Sequence, residues 1–418
     1  MKKKMVSAWQ LAAVVIGLAL LSVVAALSPP PLPPPPAPDS TSGHLASGTP
    51  MPASCGSDFT TMFALGDSTT DTGNAIHSPQ RAIFQLAAEP PYGSSYFLYP
   101  TGRFSDGRLM VDLLAQALHR DLLPPHLGLS SNLSHGSQNF AVAGATALDA
   151  PDLARLASGA VSITPFSLSV QVSSLLGVDF DDDALVFVGE IGGNDYNYAF
   201  LKRLQPPQVM AMVPPVVAEV ERQLDRLLSE QPRIKKMIIL GQFPLGCISL
   251  YLGQAGSNTN TNMSFPLDTH GCIAPISAVT DLHDKLLKIS VAKLRQKHGG
   301  VEIVFFDLGP AYLYVLDHAA GLGFSDTARP CYLSKTLLQL LSGMSSSPMS
   351  TTTTTSMEAL SVGGGGDKLC PNPDIYFSWD SIHLTEGMHR ALMSRFLYTS
   401  PSGGPFAEPH PNFLTPCV

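Results

Sequence analysis

Along residues 58–400, short unbroken apolar runs alternate with longer stretches of helical period. The apolar runs at 62–65, 139–145, 184–189, 234–240 and 301–306 each lead into or out of glycine and small polar residues, as buried strands do. Helical spacing covers about 216–229 and 282–297, the second stopped by Gly299-Gly300. Leu109, Leu113, Leu114, Ala117 and Leu118 share one face of a further helix, with Asp106 placed to cap it. Met388, Ala391, Leu392 and Phe396 form the stripe of a last one, starting just after His383. Strands alternating with helices predict an α/β/α arrangement around a mostly parallel sheet. No internal repeat interrupts the pattern.

The flanking segments read differently. Met1-Lys2-Lys3-Lys4 is basic and 11–27 is an uncharged run rich in Ala, Val and Leu, the pattern of a secretory signal over 1–26 with small residues at Ala25 and Ala26 for cleavage. An uncleaved anchor is the alternative, because the run approaches spanning length. Residues 27–57 are a Pro/Ser/Gly-rich linker, 343–366 a low-complexity loop with five consecutive threonines and four consecutive glycines, and 401–418 a C-terminal tail. That leaves 58–400 as one folded domain.

Composition narrows the function. Of 418 residues 44% are apolar and 14% charged, enough to bury a large core, and the net charge of −8 comes without any basic cluster in the folded part. Nucleic acid is therefore excluded as a partner. Six cysteines fit an oxidising compartment and none lies in a Cys-x-x-Cys pair, which disfavours zinc. The expected bridges are Cys247–Cys272 and Cys331–Cys370, each closing a loop between elements, with Cys55–Cys417 joining the termini; other pairings stay open. Asn132 and Asn262 head glycosylation sequons, relevant to a secreted chain.

Candidate chemistry gathers at the ends of the apolar runs. Ser68 follows Leu65-Gly66-Asp67 on what reads as a sharp turn leaving a strand, and a hydroxyl there acts as a nucleophile only if a base reaches it. Of the twelve histidines only His383 has an aspartate three residues before it, Asp380. An imidazole to take the serine proton and a local carboxylate to orient that imidazole complete a triad. Attack on an ester carbonyl also needs hydrogen-bond donors for the developing oxyanion. The backbone N–H groups of Ser68 and Gly144 and the side-chain amide of Asn194 stand after strand ends on the same predicted edge.

The order Gly66-Asp67-Ser68, Gly144, Gly192-Gly193-Asn194-Asp195, Asp380-Ser381-Ile382-His383 resembles the SGNH hydrolases, and within them the plant-type GDSL esterase/lipases. The resemblance spans roughly 59–400 and includes connecting motifs at 63–74, 102–108, 190–196, 242–247 and 379–386. It implies a three-layer α/β/α, flavodoxin-like fold over 58–400, with Ser68 as nucleophile, Asp380 and His383 completing the triad, and Ser68, Gly144 and Asn194 as oxyanion donors. Asp67 becomes structural, shaping the turn. It also implies a secreted, extracellular or cell-wall enzyme that needs no cofactor or metal. The expected partner is a small-molecule or polysaccharide-borne acyl ester, without stable membrane insertion once the signal is cleaved. Thr69 replaces the leucine of the name motif, and the 331–370 segment departs from the family's usual glycine-rich pattern.

Three alternatives are weighed against this reading. An acyltransferase shares the first half-reaction and differs only in the acceptor of the acyl group. A metal-dependent phosphoesterase fits the Gly66-Asp67…Asp71 spacing, but Asp195 stands where its histidine should follow Asn194. A non-catalytic secreted binding protein would keep the scaffold alone, yet every implied catalytic position is filled.

Overall fold

The computed structural model describes residues 59–129, 136–180, 183–255, 265–334, 336–337, 367–397 and 406–409, all within one compact unit, Met51–Val418. The signal, the linker, both sequons, the 343–366 loop, Cys55 and Cys417 lie outside them.

In chain order the elements that frame the site are β1 (Thr61–Leu65), α1 (Met110–Ala117), β2 (Gln138–Asn139), α2 (Leu168–Leu176), β3 (Ala184–Val188), α3 (Gly193–Leu201), α4 (Val213–Glu230), β4 (Ile234–Leu240), α5 (Ser249–Ala255), α6 (Ala274–Lys297), β5 (Glu302–Phe306), α7 (Leu308–Asp317), β6 (Asp326–Pro330), β7 (Tyr332–Leu333), β8 (Lys368–Leu369), β9 (Tyr376–Ser378), α8 (Glu386–Leu397) and β10 (Ala407–Glu408). The main sheet has the order β10-β5-β4-β3-β1-β2. All its pairings are parallel except β10 against β5. β1 and β3 are buried at every position, which explains why they read as continuous apolar runs and not as alternating ones.

From β1 the chain moves outward to β2, then crosses back to β3 and continues the other way to β4 and β5. With right-handed crossovers, α1 falls on one face of the sheet and α2, α4 and α6 on the other. The contacts agree: α4 packs against both α2 and α6, while α8 packs against α1 and α7. The direction of winding thus reverses between β1 and β3, and in open α/β sheets ligands bind at the carboxyl ends of the strands where that happens.

Three local expectations are corrected. The expected 139–145 strand is only Gln138–Asn139; beyond it the chain leaves the ladder, although Phe140 and Val142 still donate to the carbonyls of Ala64 and Gly66 at 2.8 and 3.2 Å. Asp106 does not cap α1. That helix begins with Leu109 as its N-cap, whose N–H donates to Asp112 at 2.9 Å, while Asp106 accepts the N–H of Glu386 at 2.8 Å and so caps α8. It stands too far ahead of Met110 for the first role, and tertiary folding brings it to the second. Finally, α4 and α6 begin earlier than their apolar stripes suggested, each with proline in its first turn, where the missing N–H costs nothing.

Candidate active site

Gly66 ends β1 with φ 144°, and a Cβ there would press on Glu190 O, Gly189 Cα and Thr70 Cβ, each at 3.3 Å. Only glycine fits this close approach of two strand ends. Gln171 of α2 grips the same residue from both sides, accepting from Gly66 N at 2.9 Å and donating to Gly66 O at 2.8 Å. Asp67 N donates to Glu190 O across the strand ends at 3.2 Å, and Asp67 Oδ1 accepts from Thr69 N and Thr69 Oγ1, both at 2.9 Å. Asp71 accepts the backbone N–H groups of Gly73, Asn74, Ala75 and Ala143 at 2.5–3.0 Å. This frame fixes the turn that carries Ser68.

The other half of the site arrives from outside the main sheet. β9 pairs in parallel with β6, and the disulfide Cys331–Cys370 ties the chain beyond β6 to the approach to β9. Cys247–Cys272 is formed as well, and no cysteine among the described residues is free. After β9 the chain folds back on itself, Trp379 N donating to His383 O at 2.7 Å and Leu250 N donating to Ser381 O at 2.9 Å, with Ser381 in the left-handed region at φ 86°.

The two halves meet. His383 Nε2 lies 2.9 Å from Ser68 Oγ, and His383 Nδ1 lies 2.7 Å from Asp380 Oδ2. Asp380 is fully enclosed. Its Oδ1 accepts from the backbone N–H groups of Ile382 and His383 at 3.1 and 2.9 Å, and its Oδ2 also receives the Tyr92 hydroxyl at 2.7 Å. Burial pushes its carboxyl up, but the charge of His383, the hydrogen bonds from His383 and the bond from Tyr92 outweigh that and hold it below its ordinary value. For Asp67 burial wins over the hydrogen bonds from Thr69 and the charge of His383, and raises it to about 6.

Gly144 (φ 77°) faces Ser68 in the same cleft; a Cβ there would collide with Ile163 at 2.7 Å. Among the described residues the backbone N–H groups of Ser68 and Gly144 have no partner. Asn194, at the start of α3, also lines the cleft, but its amide nitrogen donates to Ala145 O at 3.0 Å and to Asp67 Oδ2 at 3.2 Å. An oxyanion would have to draw one of those hydrogens away, and the longer bond is the easier to give up. Asp195 turns away from the cleft and accepts from Ala147 and Leu148 N–H groups at 2.8 and 3.1 Å.

The cleft is open to solvent, and its walls are mainly apolar, with Phe84, Phe104, Ile163, Leu201 and Leu250 prominent. Sequence reasoning missed Tyr92 and Gln171. Both sit in stretches without local signal, Tyr92 in the irregular Pro90-Pro91-Tyr92-Gly93 segment and Gln171 on a helix face that reads as a polar interruption.

A doubly wound parallel sheet with serine, histidine and aspartate in contact at its switch point is the arrangement of a serine hydrolase. The chain belongs to the GDSL-like lipase/acylhydrolase family, whose model matches residues 62–396. It is 30% identical over 377 residues to GDSL esterase/lipase At1g28600 of Arabidopsis thaliana, covering 87% of this chain and 88% of that protein. GDSL esterase/lipase At1g28590 of the same plant is 31% identical over 364 residues, 84% of each. The protein is thus a hydrolase acting on ester bonds. Among solved structures, an extracellular lipase from Streptomyces rimosus aligns at 16% identity and TM-score 0.31 over 72% of this chain and all of that one. A phospholipase A1 from Streptomyces albidoflavus aligns at 15% identity and TM-score 0.29 over 61% of this chain and 81% of that one. Such scores carry no weight for the fold. No helix among the described residues is long and apolar enough to cross a membrane.

Proposed function

We propose that the protein hydrolyses carboxylic esters through an acyl-Ser68 intermediate, with His383 as general base and acid and Asp380 as its orienting carboxylate. The observation that carries this is the continuous chain of contacts from Ser68 Oγ to His383 Nε2 and from His383 Nδ1 to Asp380 Oδ2. The bound carboxylate fixes the tautomer with the proton on Nδ1, leaving Nε2 to accept the serine proton. As Ser68 Oγ attacks, the carbonyl oxygen becomes negative and is met by the N–H groups of Ser68 and Gly144 and by the amide of Asn194. His383 then protonates the departing alkoxide, and water, deprotonated by the same ring, releases the acid.

The mainly apolar walls of the cleft suit an acyl chain. The signal-like N-terminus and the disulfides support secretion, with 58–400 as the catalytic domain following a removable signal and linker, and with Asn132 and Asn262 as glycan acceptors. The test is hydrolysis of p-nitrophenyl acyl esters by the purified protein beside Ser68→Ala. The variant should lose about a thousandfold or more in kcat while unfolding at the wild-type temperature. Undiminished hydrolysis by Ser68→Ala would refute the nucleophile assignment.

A further inference from the structure

One polar feature of the cleft has no part in the chemistry above. Asn197 follows Asn194 by one turn of α3, so the two side chains share a face and stand about 5–6 Å apart at their Cβ atoms. Both line the cleft. Asn197 Oδ1 accepts the Tyr251 hydroxyl at 2.7 Å. Tyr251, from α5, is buried, and its ring meets Phe200 edge-on with centroids 5.6 Å apart. That bond orients the amide. Its Nδ2 hydrogens have no partner among the described residues, in a wall otherwise formed by groups such as Leu201, Leu250 and Ile163.

Building on the acyl-ester reading, we propose that Asn197, braced by Tyr251, is a polar subsite that selects acyl groups carrying an oxygen acceptor near their fourth carbon. With the ester oxygen held at Asn194, an acyl chain running along α3 reaches the Asn197 amide at about that atom. A plain alkyl chain laid over this wall strips water from two N–H donors and offers nothing in return. An acceptor at the right place restores the bond, and sites built to hydrogen-bond a substrate discriminate strongly against analogues that cannot. Burial pushes the Tyr251 phenol up, so it stays a neutral donor to Asn197 at any working pH.

The probes are p-nitrophenyl 4-oxopentanoate and p-nitrophenyl pentanoate, matched in length and shape. Each kcat/KM is divided by the rate of hydroxide-catalysed hydrolysis of the same ester, which removes intrinsic reactivity. Wild type should favour the oxo ester by about tenfold. Asn197→Leu should bring the corrected ratio to about one, and Tyr251→Phe should leave it in between. If Asn197→Leu fails to fold, Asn197→Asp keeps the shape, replaces donors with acceptors and should invert the preference. A wild-type ratio near one, or an elevated ratio that persists without the Asn197 amide, overturns the proposal while leaving ester hydrolysis standing. If neither ester is turned over, the ester-hydrolase mechanism at Ser68 fails and the subsite falls with it.

Discussion

Ser68 and His383 approach to 2.9 Å, yet the segments that carry them are built in unlike ways. The Ser68 turn grows out of β1 and is fixed by buried polar side chains, Gln171, Asp67 and Asp71, that satisfy backbone groups at the sheet's edge. The Asp380–His383 segment belongs to no strand of that sheet. It is suspended between a disulfide-tied β6–β9 pair and α8, and its acid is gripped by one tyrosine whose ring packs against Trp379 with centroids 5.7 Å apart. Charge follows the same division. Asp67 and Asp71 are pushed up to about 6 by burial, whereas Asp380, equally buried, lies below its ordinary value because the gain from His383 exceeds the cost of burial. A carboxylate that braces a turn tolerates a raised pKa; under the proposed mechanism Asp380 has to stay ionised to steady a developing imidazolium.

If this division is real, damage to the two halves should separate fold from chemistry. Ser68→Ala has the largest expected effect on rate, with the fold kept, because its hydroxyl contributes a contact to His383 and no part of the frame. Asp71→Ala should do the converse, unfolding the protein by on the order of 3 kcal/mol through four stranded N–H groups, measured by urea or thermal denaturation. A stability loss under about 1 kcal/mol there would break the contrast. Tyr92→Phe should leave the unfolding temperature within a few degrees and lower kcat by about tenfold, by analogy with the loss of one hydrogen bond to a charged group; an unchanged kcat would show that the backbone donors alone fix Asp380.

The smallest effect concerns acid. Two histidines outside the triad are fully buried: His283, whose ring lies against Gly192, and His389 in α8; burial pushes both down to about 3. In the unfolded chain these rings titrate near the ordinary value of 6.5, so between about 6.5 and 3 the unfolded state holds more protons. Their contribution to stability is complete above that window and is lost as pH falls through it. Asp195, raised to about 7 by burial, acts in the opposite sense, because the folded state holds its proton at pH values where the unfolded chain has lost it. The unfolding temperature of His389→Gln should therefore fall less steeply than that of wild type between pH 6.5 and 4. Parallel curves would mean that His389 takes up protons in the folded state.

Much of this was legible in the residues. The apolar runs marked the central strands because strands buried on both faces carry no polar positions, and Asp380 was readable as the partner of His383 because three residues of chain keep the pair local. The short β2 was not legible, since Phe140 to Ala143 remain apolar while packing in a loop and not in a ladder. Asp106 misled for a similar reason. Its capping chemistry was correctly seen, but the N–H it satisfies lies 280 residues away.

By itself the chain order determined which side chains are candidates for the proposed chemistry: a serine on a glycine turn, an acid three residues before its histidine, small residues and an asparagine at strand ends. Those are properties of composition and short spacing. Only the tertiary structure decided that Tyr92 would share the Asp380 oxygen with His383, that Gln171 would hold Gly66, and that the Asn194 amide would rest on Asp67. These contacts join segments far apart in the chain. Their energies depend on burial and on angles set by how the layers pack, which no local pattern records.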